Sequence, residues 1–137
     1  MRFASAAHTG LYRTSRGRMG AMVGGHPVLL PTTIGRGTHR TRTTPVQYVR
    51  DGDSLIVIAS NAGRERMPQW WLNLHDKAAC SVKLGRRRMA VRAAEASGAE
   101  RERLWRAACA DNPGYARAEA RSSRTFPVVV LEPVEDS

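Results

Sequence analysis

Short apolar runs separated by turn residues dominate the first half of the chain, and they predict β-strands. The predicted strands run from His26 to Ile34, from Thr43 to Arg50 and from Ser54 to Ser60. Residues 55–58 are continuously apolar, which is typical of a strand buried on both faces. Asp51-Gly52, between the second and third strands, is a hairpin signal. This half of the chain therefore predicts antiparallel pairing.

The second half of the chain combines a hairpin with helices. Pro68 suits the first helical position of a short helix, and Ser97 with Glu100 forms a capping-box signature at the start of a longer one. The predicted elements are a short helix from Pro68 that carries Trp70 and Trp71, strands over 81–84 and 88–94, a helix from Ser97 to about Ala110, a helix over 115–122, and a strand over 128–131.

These elements do not alternate strand and helix one for one, which disfavours a parallel doubly wound sheet. We predict a mainly β protein with helices, of the α+β class: a small barrel of about six mostly antiparallel strands with two to four packed helices. A chain of 137 residues suits one core. We expect residues 1–24 to form a basic N-terminal arm or helix and residues 25–137 to form the barrel.

Positive charge is concentrated in the first third of the chain. The net charge is +10, and residues 1–50 hold eight arginines and no Asp or Glu. This asymmetry predicts a positive face and an anionic partner, such as nucleic acid, an anionic membrane surface or a phosphorylated small molecule. A coding bias towards arginine would give the same excess.

The spacing of cysteines and histidines and the distribution of apolar residues show no metal-site, targeting or membrane-spanning pattern. Cys80 and Cys109 have no CxxC spacing, and the four histidines stand at no metal-ligand spacing, so we expect no metal site and no disulfide framework. The simple reading is a reduced cytoplasmic protein. The N-terminus lacks the apolar stretch of a signal peptide, and no apolar run reaches the roughly 18 residues needed to span a membrane.

The candidate anion site is the stretch Thr32-Thr-Ile-Gly-Arg-Gly-Thr-His-Arg-Thr-Arg-Thr-Thr-Pro45. Gly35 and Gly37 allow close backbone approach, and Arg36, Arg40 and Arg42 offer bidentate forks for phosphate. The spacing matches neither a Walker A loop nor GxGxxG. An exposed loop that is merely basic remains the alternative. Nucleic-acid binding is disfavoured, because aromatic residues make up 6% of the chain and no recognition-helix pattern appears.

A second candidate site follows the buried strand. Ser60-Asn-Ala-Gly63 could fix the polar edge of a ligand at the mouth of a barrel, or it could simply form a turn. Of Trp70 and Trp71, we expect one to fill the core while the other could wall an aromatic ligand. No nucleophile elbow or catalytic Cys-His context is present. A ligand pocket without an acid, base or metal indicates that a cofactor carries the chemistry.

Four ordered blocks within residues 10–133 resemble the deazaflavin-dependent nitroreductase family. Thr32-Thr-Ile-Gly-Arg36, Arg40 and Arg42-Thr-Thr-Pro45 resemble its "TTxGRxSGxxRxTP" block, and Ala59-Ser-Asn-Ala-Gly63 resembles "ASNGG". Pro68-Gln-Trp-Trp-Leu-Asn-Leu74 resembles "PxWYxNL". The C-terminal block "PxYAxYQxRTxRxIPVVVLxP" is matched by Pro113-Gly-Tyr-Ala116, Arg121, Arg124 and Pro127-Val-Val-Val-Leu-Glu-Pro133.

The resemblance implies a split β-barrel that binds coenzyme F-420, whose phosphodiester and polyglutamate tail would be the anion held by the basic loop. Reduced coenzyme would deliver a hydride to an electron-poor acceptor such as a quinone, enone or nitroaromatic. Ser60 and Tyr115 are the implied catalytic residues, for acceptor placement or proton donation. The implied cofactor-binding residues are Thr33, Arg36, Gly37, Thr38, His39, Arg40, Arg42, Ser60, Asn61, Trp70 and Asn73.

Two other functions stay open at this point: a split barrel that binds FMN, and a carrier that holds the deazaflavin without turnover. Ala118 stands where the family motif carries a Tyr that lines the substrate pocket, which implies poor reduction of bulky nitroimidazoles. We expect a monomer or homodimer without nucleic acid. The basic N-terminus suggests peripheral association with the inner face of the cell membrane.

Overall fold

The computed structural model describes residues 22–23, 26–35 and 40–134. Most of the predicted N-terminal arm lies outside these residues, as does the 36–39 part of the basic loop. The described elements are β1 (Met22–Val23), β2 (His26–Ile34), β3 (Thr41–Thr43), β4 (Val46–Gln47), β5 (Val49–Asp51), β6 (Ser54–Ile58), a 3₁₀ turn (Asn61–Gly63), α1 (Gln69–Asp76), β7 (Ala79–Leu84), β8 (Arg87–Glu95), α2 (Gly98–Asp111), α3 (Gly114–Arg121) and β9 (Val128–Pro133).

The described strands form one antiparallel sheet that curves into a nearly closed barrel. Its hydrogen-bonded order is β1-β2-β7-β8-β9-β6-β5, and β3 and β4 also pair with β2. Only Tyr48 separates β4 from β5, yet these strands pair at opposite ends of that order. Gln47 pairs with Val28 on β2, whereas Val49 pairs with Ile56 on β6. The segment 46–51 therefore links the two ends of the sheet.

Strands β6 and β9 are buried on both faces, and the apolar run 55–58 predicted this for β6. Successive side chains of a strand point to opposite faces. Leu55 and Val57 therefore enter the cluster inside the barrel, while Ile56 and Ile58 enter a second cluster outside it. The paired strand β9 divides in the same way, with Val129 and Leu131 inside and Val128 and Val130 outside.

The helices complete these two clusters. Trp70, Trp71 and Leu74 of α1 belong to the cluster inside the barrel. Leu104 and Ala108 of α2 cover the outer cluster, with Phe126 from the segment before β9. Tyr115 and Ala118 of α3 pack at the edge of the same cluster. The predicted α+β barrel with two to four helices is thus confirmed.

The predicted strand from Thr43 to Arg50 is wrong as a single element. It divides into β3, β4 and β5, because Pro45 has no N–H for the ladder and because the chain changes partner from β2 to β6 around Tyr48. The Asp51-Gly52 hairpin is confirmed: Asp51 pairs with Ser54, and Gly52 has the left-handed φ of 63° that the turn requires.

The starts of two helices differ in detail from the predictions. Pro68 is the N-cap of α1 and not its first helical residue, so α1 begins one residue later than predicted. Ser97 is the N-cap of α2, but its side chain makes no capping hydrogen bond, so the capping-box contact is wrong although the boundary is right. The carbonyl of Ser97 accepts the first regular hydrogen bond of the helix, from the N–H of Arg101 at 3.3 Å.

Replacing Leu104 by Ala should destabilise the protein, because this side chain is 1% exposed and seals the outer cluster. We expect the free energy of unfolding to fall by about 2–5 kcal/mol, measured by urea denaturation. The control is Arg106→Ala, an exposed change on the same helix that should stay within about 0.5 kcal/mol of wild type. Equal stability of the two variants would contradict this account of the outer layer.

Candidate functional site

A cleft of about 490 Å³ opens where the barrel meets α3. Its volume lies within the range of small-molecule sites, roughly 300–1,000 Å³. The walls come from the β3–β4 connection and β4, the end of β6, the 3₁₀ turn, α1 and the start of α3. The lining residues are Val28, Thr44, Pro45, Val46, Gln47, Ile58, Ser60, Asn61, Ala62, Gly63, Trp70, Asn112, Gly114, Tyr115 and Ala118.

The 3₁₀ turn at the cleft has an unusual backbone. Asn61, Ala62 and Gly63 have φ of 52°, 57° and 81°, so three successive residues are left-handed. A β-carbon at this conformation costs energy, and such strain persists only where neighbours hold it. The Asn61 side chain helps by donating from Nδ2 to the Arg66 carbonyl at 2.8 Å. The turn sits directly against α3, since a Cβ at Gly63 would lie 3.4 Å from the Ala118 Cβ.

Arg124 holds the segment that carries this turn. Its Nη1 and Nη2 donate to the carbonyls of Ala59 and Ser60 at 3.1 and 2.9 Å. Its Nε donates to the Arg64 carbonyl at 3.1 Å, and Nη2 also reaches the Arg66 carbonyl at 3.4 Å. Because the guanidinium fork is planar and rigid, these bonds fix several carbonyls in one geometry. Arg124 therefore positions the polar wall of the cleft without lining it.

The opposite wall of the cleft contains three linked hydrogen bonds in which each donor and each acceptor is identified. The N–H of Gly114 donates to Asn112 Oδ1 at 3.0 Å. Asn112 Nδ2 donates to Gln47 Oε1 at 2.9 Å, and the Tyr115 hydroxyl donates to the same oxygen at 3.3 Å. Burial raises the pKa of Tyr115 to about 12, and the nearby Asp111 carboxylate adds to the shift. The phenol therefore stays protonated at neutral pH.

The structure brings four of the predicted site residues together at the cleft: Ser60, Asn61, Trp70 and Tyr115. Trp70 and Trp71 are both buried in the inner cluster, and Trp70 also lines the cleft. Both tryptophans therefore belong to the core, and the contact of one of them with an aromatic ligand stays a prediction for Trp70.

The other predicted site residues do not line this cleft. Thr33 and Asn73 are each 3% exposed, and Asn73 Nδ2 donates to Thr33 Oγ1 at 3.1 Å, which ties α1 to β2. Arg40 is exposed, and its carbonyl accepts the Gly35 N–H at 2.7 Å. Arg42 pairs with Thr33 in the ladder of β2 and β3. Arg36, Gly37, Thr38 and His39 lie outside the described residues.

Gln47 and Asn112 are cleft residues that the sequence analysis missed. Gln47 belonged to a predicted strand, and Asn112 was not among the predicted site residues. Their role depends on contacts between residues 65 and 68 positions apart. The available signal was the alternation over residues 46–48, because Val46 and Tyr48 both pack in the inner cluster and Gln47 between them then faces outward.

Metal and thiol chemistry have no visible site in the described part of the chain. No group of three or more His, Cys, Asp or Glu side chains there is placed to hold a metal ion. Burial raises the pKa of the Cys80 thiol to about 11 and also raises that of Cys109, so both thiols are poor nucleophiles at neutral pH. No helix over the described residues is long and apolar enough to cross a membrane.

Comparison with known families gives a match along nearly the whole chain. The model of the family described as "F420H(2)-dependent quinone reductase" matches residues 4–133. A protein of Mycobacterium tuberculosis strain H37Rv, named as an F420H(2)-dependent quinone reductase, is 36% identical over 128 residues, which cover 90% of this chain and 86% of that protein. The deazaflavin-dependent family indicated by the four motif blocks is thereby confirmed.

Solved structures agree with this match. A structure titled as an F420-H2-dependent reductase is 30% identical, has a TM-score of 0.70, and aligns with 77% of this chain and 94% of its own. A second structure, titled as a domain-swapped dimer, is 26% identical with a TM-score of 0.71 and aligns with 93% of this chain and 99% of its own. Both support the barrel with packed helices.

Arg124→Lys should loosen the segment 59–66 although it keeps the positive charge, because an ammonium group cannot replace the planar fork. We expect the free energy of unfolding to fall by about 1–3 kcal/mol, the scale of charge-assisted hydrogen bonds. Hydrogen exchange should rise in 59–66, measured by mass spectrometry. The matched control is Arg121→Lys, an exposed change at the end of α3. Unchanged exchange in 59–66 would refute the positioning role of Arg124.

Proposed function

Because the chain belongs to the F420H(2)-dependent quinone reductase family, we propose that its cleft is where a quinone-type acceptor is reduced by reduced coenzyme F-420. The observation that carries this proposal is the convergence of Ser60, Asn61, Trp70 and Tyr115, drawn from three of the four motif blocks, on one cleft of about 490 Å³. Residues far apart in the sequence thus meet where a ligand can enter.

The residues of the cleft fit a flat, partly polar ring system. Trp70 supplies an aromatic wall, and Val28, Val46 and Ile58 supply apolar surface. The Ser60 hydroxyl and the left-handed turn after it supply a polar edge. Sites for cofactors combine apolar walls with a few fixed polar groups in this manner. The fit favours a deazaflavin or its acceptor over an extended polymer such as nucleic acid.

When bound, the reduced coenzyme supplies the hydride, and the protein supplies binding and orientation. We assign Ser60 to the placement of the ring system, since Arg124 fixes its carbonyl at 2.9 Å and so fixes the residue. We assign Tyr115 to positioning as well. Its phenol retains its proton because its pKa is about 12, and its hydroxyl is engaged with Gln47. The proton that completes the reduction then comes from solvent.

We propose that the anionic tail of the coenzyme binds along the basic loop from Arg36 to Arg42. Support comes from the absence of acids in residues 1–50 and from the pairing of β3, which carries Arg42, with β2. Arg40 is exposed at its end. A phosphodiester and several carboxylates need charge-assisted donors, which arginines provide.

The test is a fluorescence titration of the protein with oxidised coenzyme F-420 at low and moderate salt. We expect saturable binding that survives moderate salt. Arg36→Ala and Arg42→Ala should each weaken it by about 1–3 kcal/mol, the cost of a lost charge-assisted contact. The control is Arg86→Ala, which removes an exposed arginine from the turn between β7 and β8.

Unchanged affinity in the double Arg36/Arg42 variant would remove the loop from the site. Binding of FMN in place of coenzyme F-420, seen in the same titration, would favour the flavin alternative. Binding without oxidation of the reduced coenzyme across a panel of quinones would favour the carrier. A steep salt dependence with no response to deazaflavin would favour nucleic acid.

We also propose peripheral attachment to the inner face of an anionic membrane through the basic N-terminus, in a cytoplasmic protein. Support comes from Arg2, Arg13, Arg16 and Arg18 among residues 1–20, which contain no acid. Surface attraction of about 1 kcal/mol per basic residue is expected on such membranes. Co-sedimentation should therefore be stronger with anionic than with zwitterionic vesicles, and it should weaken when three of these arginines become Gln. Equal binding to both vesicles would refute this attachment.

For assembly, we propose a monomer or a homodimer, and light scattering of the purified protein distinguishes them. The structural relative titled as a domain-swapped dimer supports the second state only by analogy at 26% identity. A larger assembly would contradict this proposal.

A further inference from the structure

We infer that Gln47 is the hydrogen-bond donor that recognises the carbonyl oxygen of the acceptor in the cleft, and therefore a residue that determines the substrate class. This inference rests on the proposed function, because it assigns a role within the same cleft. Gln47 is not a position of the four motif blocks. The inference rests on which atom donates and which accepts in three hydrogen bonds.

The orientation of the Gln47 amide follows from a chain of donors that begins at the backbone. A backbone N–H can only donate, so the Gly114 N–H identifies its partner on Asn112 as the oxygen Oδ1, 3.0 Å away. The other end of the Asn112 amide is then Nδ2, which donates to Gln47 at 2.9 Å. The atom of Gln47 that receives it must be Oε1. The amide of Gln47 therefore cannot be reversed without breaking this chain.

Tyr115 reinforces the same orientation. Its hydroxyl lies 3.3 Å from Gln47 Oε1 and keeps its proton, since the pKa of this phenol is raised to about 12. Two donors thus converge on one oxygen, which can accept two hydrogen bonds. The NH₂ group of Gln47 is left with both of its N–H bonds to offer elsewhere. Among the described residues, it has no hydrogen-bond partner.

The backbone turns this amide towards the cleft. Tyr48 is buried inside the barrel at 4% exposure, so the adjacent Gln47 points outward. Gln47 pairs with Val28, and both line the cleft with Ser60 and Trp70. The few polar groups that line a ligand cleft fix the orientation of the ligand through hydrogen bonds. Here that ligand atom must be an acceptor.

A quinone-type carbonyl fits this donor chemically. Reduction adds a hydride, which brings two electrons and one proton to the acceptor, and the remaining negative charge collects on oxygen. A proton from water then gives the hydroquinone. A fixed N–H that bonds the oxygen before and during this change stabilises the developing charge without having to reorient. Gln47 is neutral, so it does not discourage binding of an uncharged, apolar quinone.

The test variant is Gln47→Glu. The new side chain has the same shape and keeps an oxygen for Asn112 and Tyr115, but it replaces the NH₂ donor by a second oxygen. With a soluble naphthoquinone and reduced coenzyme F-420, we expect kcat/KM to fall by about 10- to 100-fold, the scale of one lost donor at a developing oxyanion. The affinity for oxidised coenzyme F-420, measured by fluorescence, should change less than about twofold.

Two further readouts separate recognition from a merely structural role. Lowering the pH protonates the introduced carboxyl group, which restores an O–H donor, so kcat/KM of Gln47→Glu should recover as the pH falls. Gln47→Asn keeps the amide but withdraws it by one methylene, and it should show a loss in the same direction. The matched control is Gln69→Glu, an exposed substitution at the start of α1, which should leave kcat/KM unchanged.

The inference is overturned if Gln47→Glu reduces the quinone as well as the wild type does. It is also overturned if this variant loses affinity for the coenzyme while KM for the quinone stays the same, because the donor would then serve a carbonyl of the coenzyme. Absence of coenzyme binding in the wild type would overturn the proposed function itself. The wild-type titration thus distinguishes failure of the proposed function from failure of the assignment of Gln47.

Discussion

The burial of β6 and β9 on both faces is the constraint on which the rest of the structure depends. Leu55, Val57, Val129 and Leu131 fill the barrel, while their neighbours on the same two strands carry α2 and α3. A side chain that changed face would leave one cluster and overfill the other, since the period of a strand is two. The two layers are therefore held in one register, and the cleft between barrel and α3 takes its shape from that register.

Much of the fold was predictable because local patterns and long-range packing agree. The strand over His26–Ile34, the Asp51-Gly52 turn and the apolar run 55–58 all have strong local signals, and the structure keeps them. The segment 43–50 was predicted wrongly because its division depends on which strands lie on either side. Pro45 marks a break in the ladder, but no local rule states that the chain on one side pairs with β2 and on the other with β6.

The candidate site was likewise predictable only where local motifs contain its residues. Ser60, Asn61, Trp70 and Tyr115 were found because they lie in ordered motif blocks, and they do meet at the cleft. Thr33 and Asn73 came from the same blocks, yet their hydrogen bond joins α1 to β2 inside the protein. A motif records that a residue type recurs and does not separate contact with a ligand from support of the fold. Gln47 was missed because its partners Asn112 and Tyr115 are distant in sequence.

The position of β9 in the sheet has a consequence for biosynthesis. This strand is the last described element of the chain, yet it lies between β6 and β8, and Arg124 just before it holds the wall of the cleft. While the ribosome is still adding residues 124–133, β6 and β8 each lack the strand that pairs with one of their edges. The described barrel therefore closes only after β9 has left the exit tunnel. Until then, the unpaired edges of β6 and β8 can pair with other strands, which is a route to aggregation.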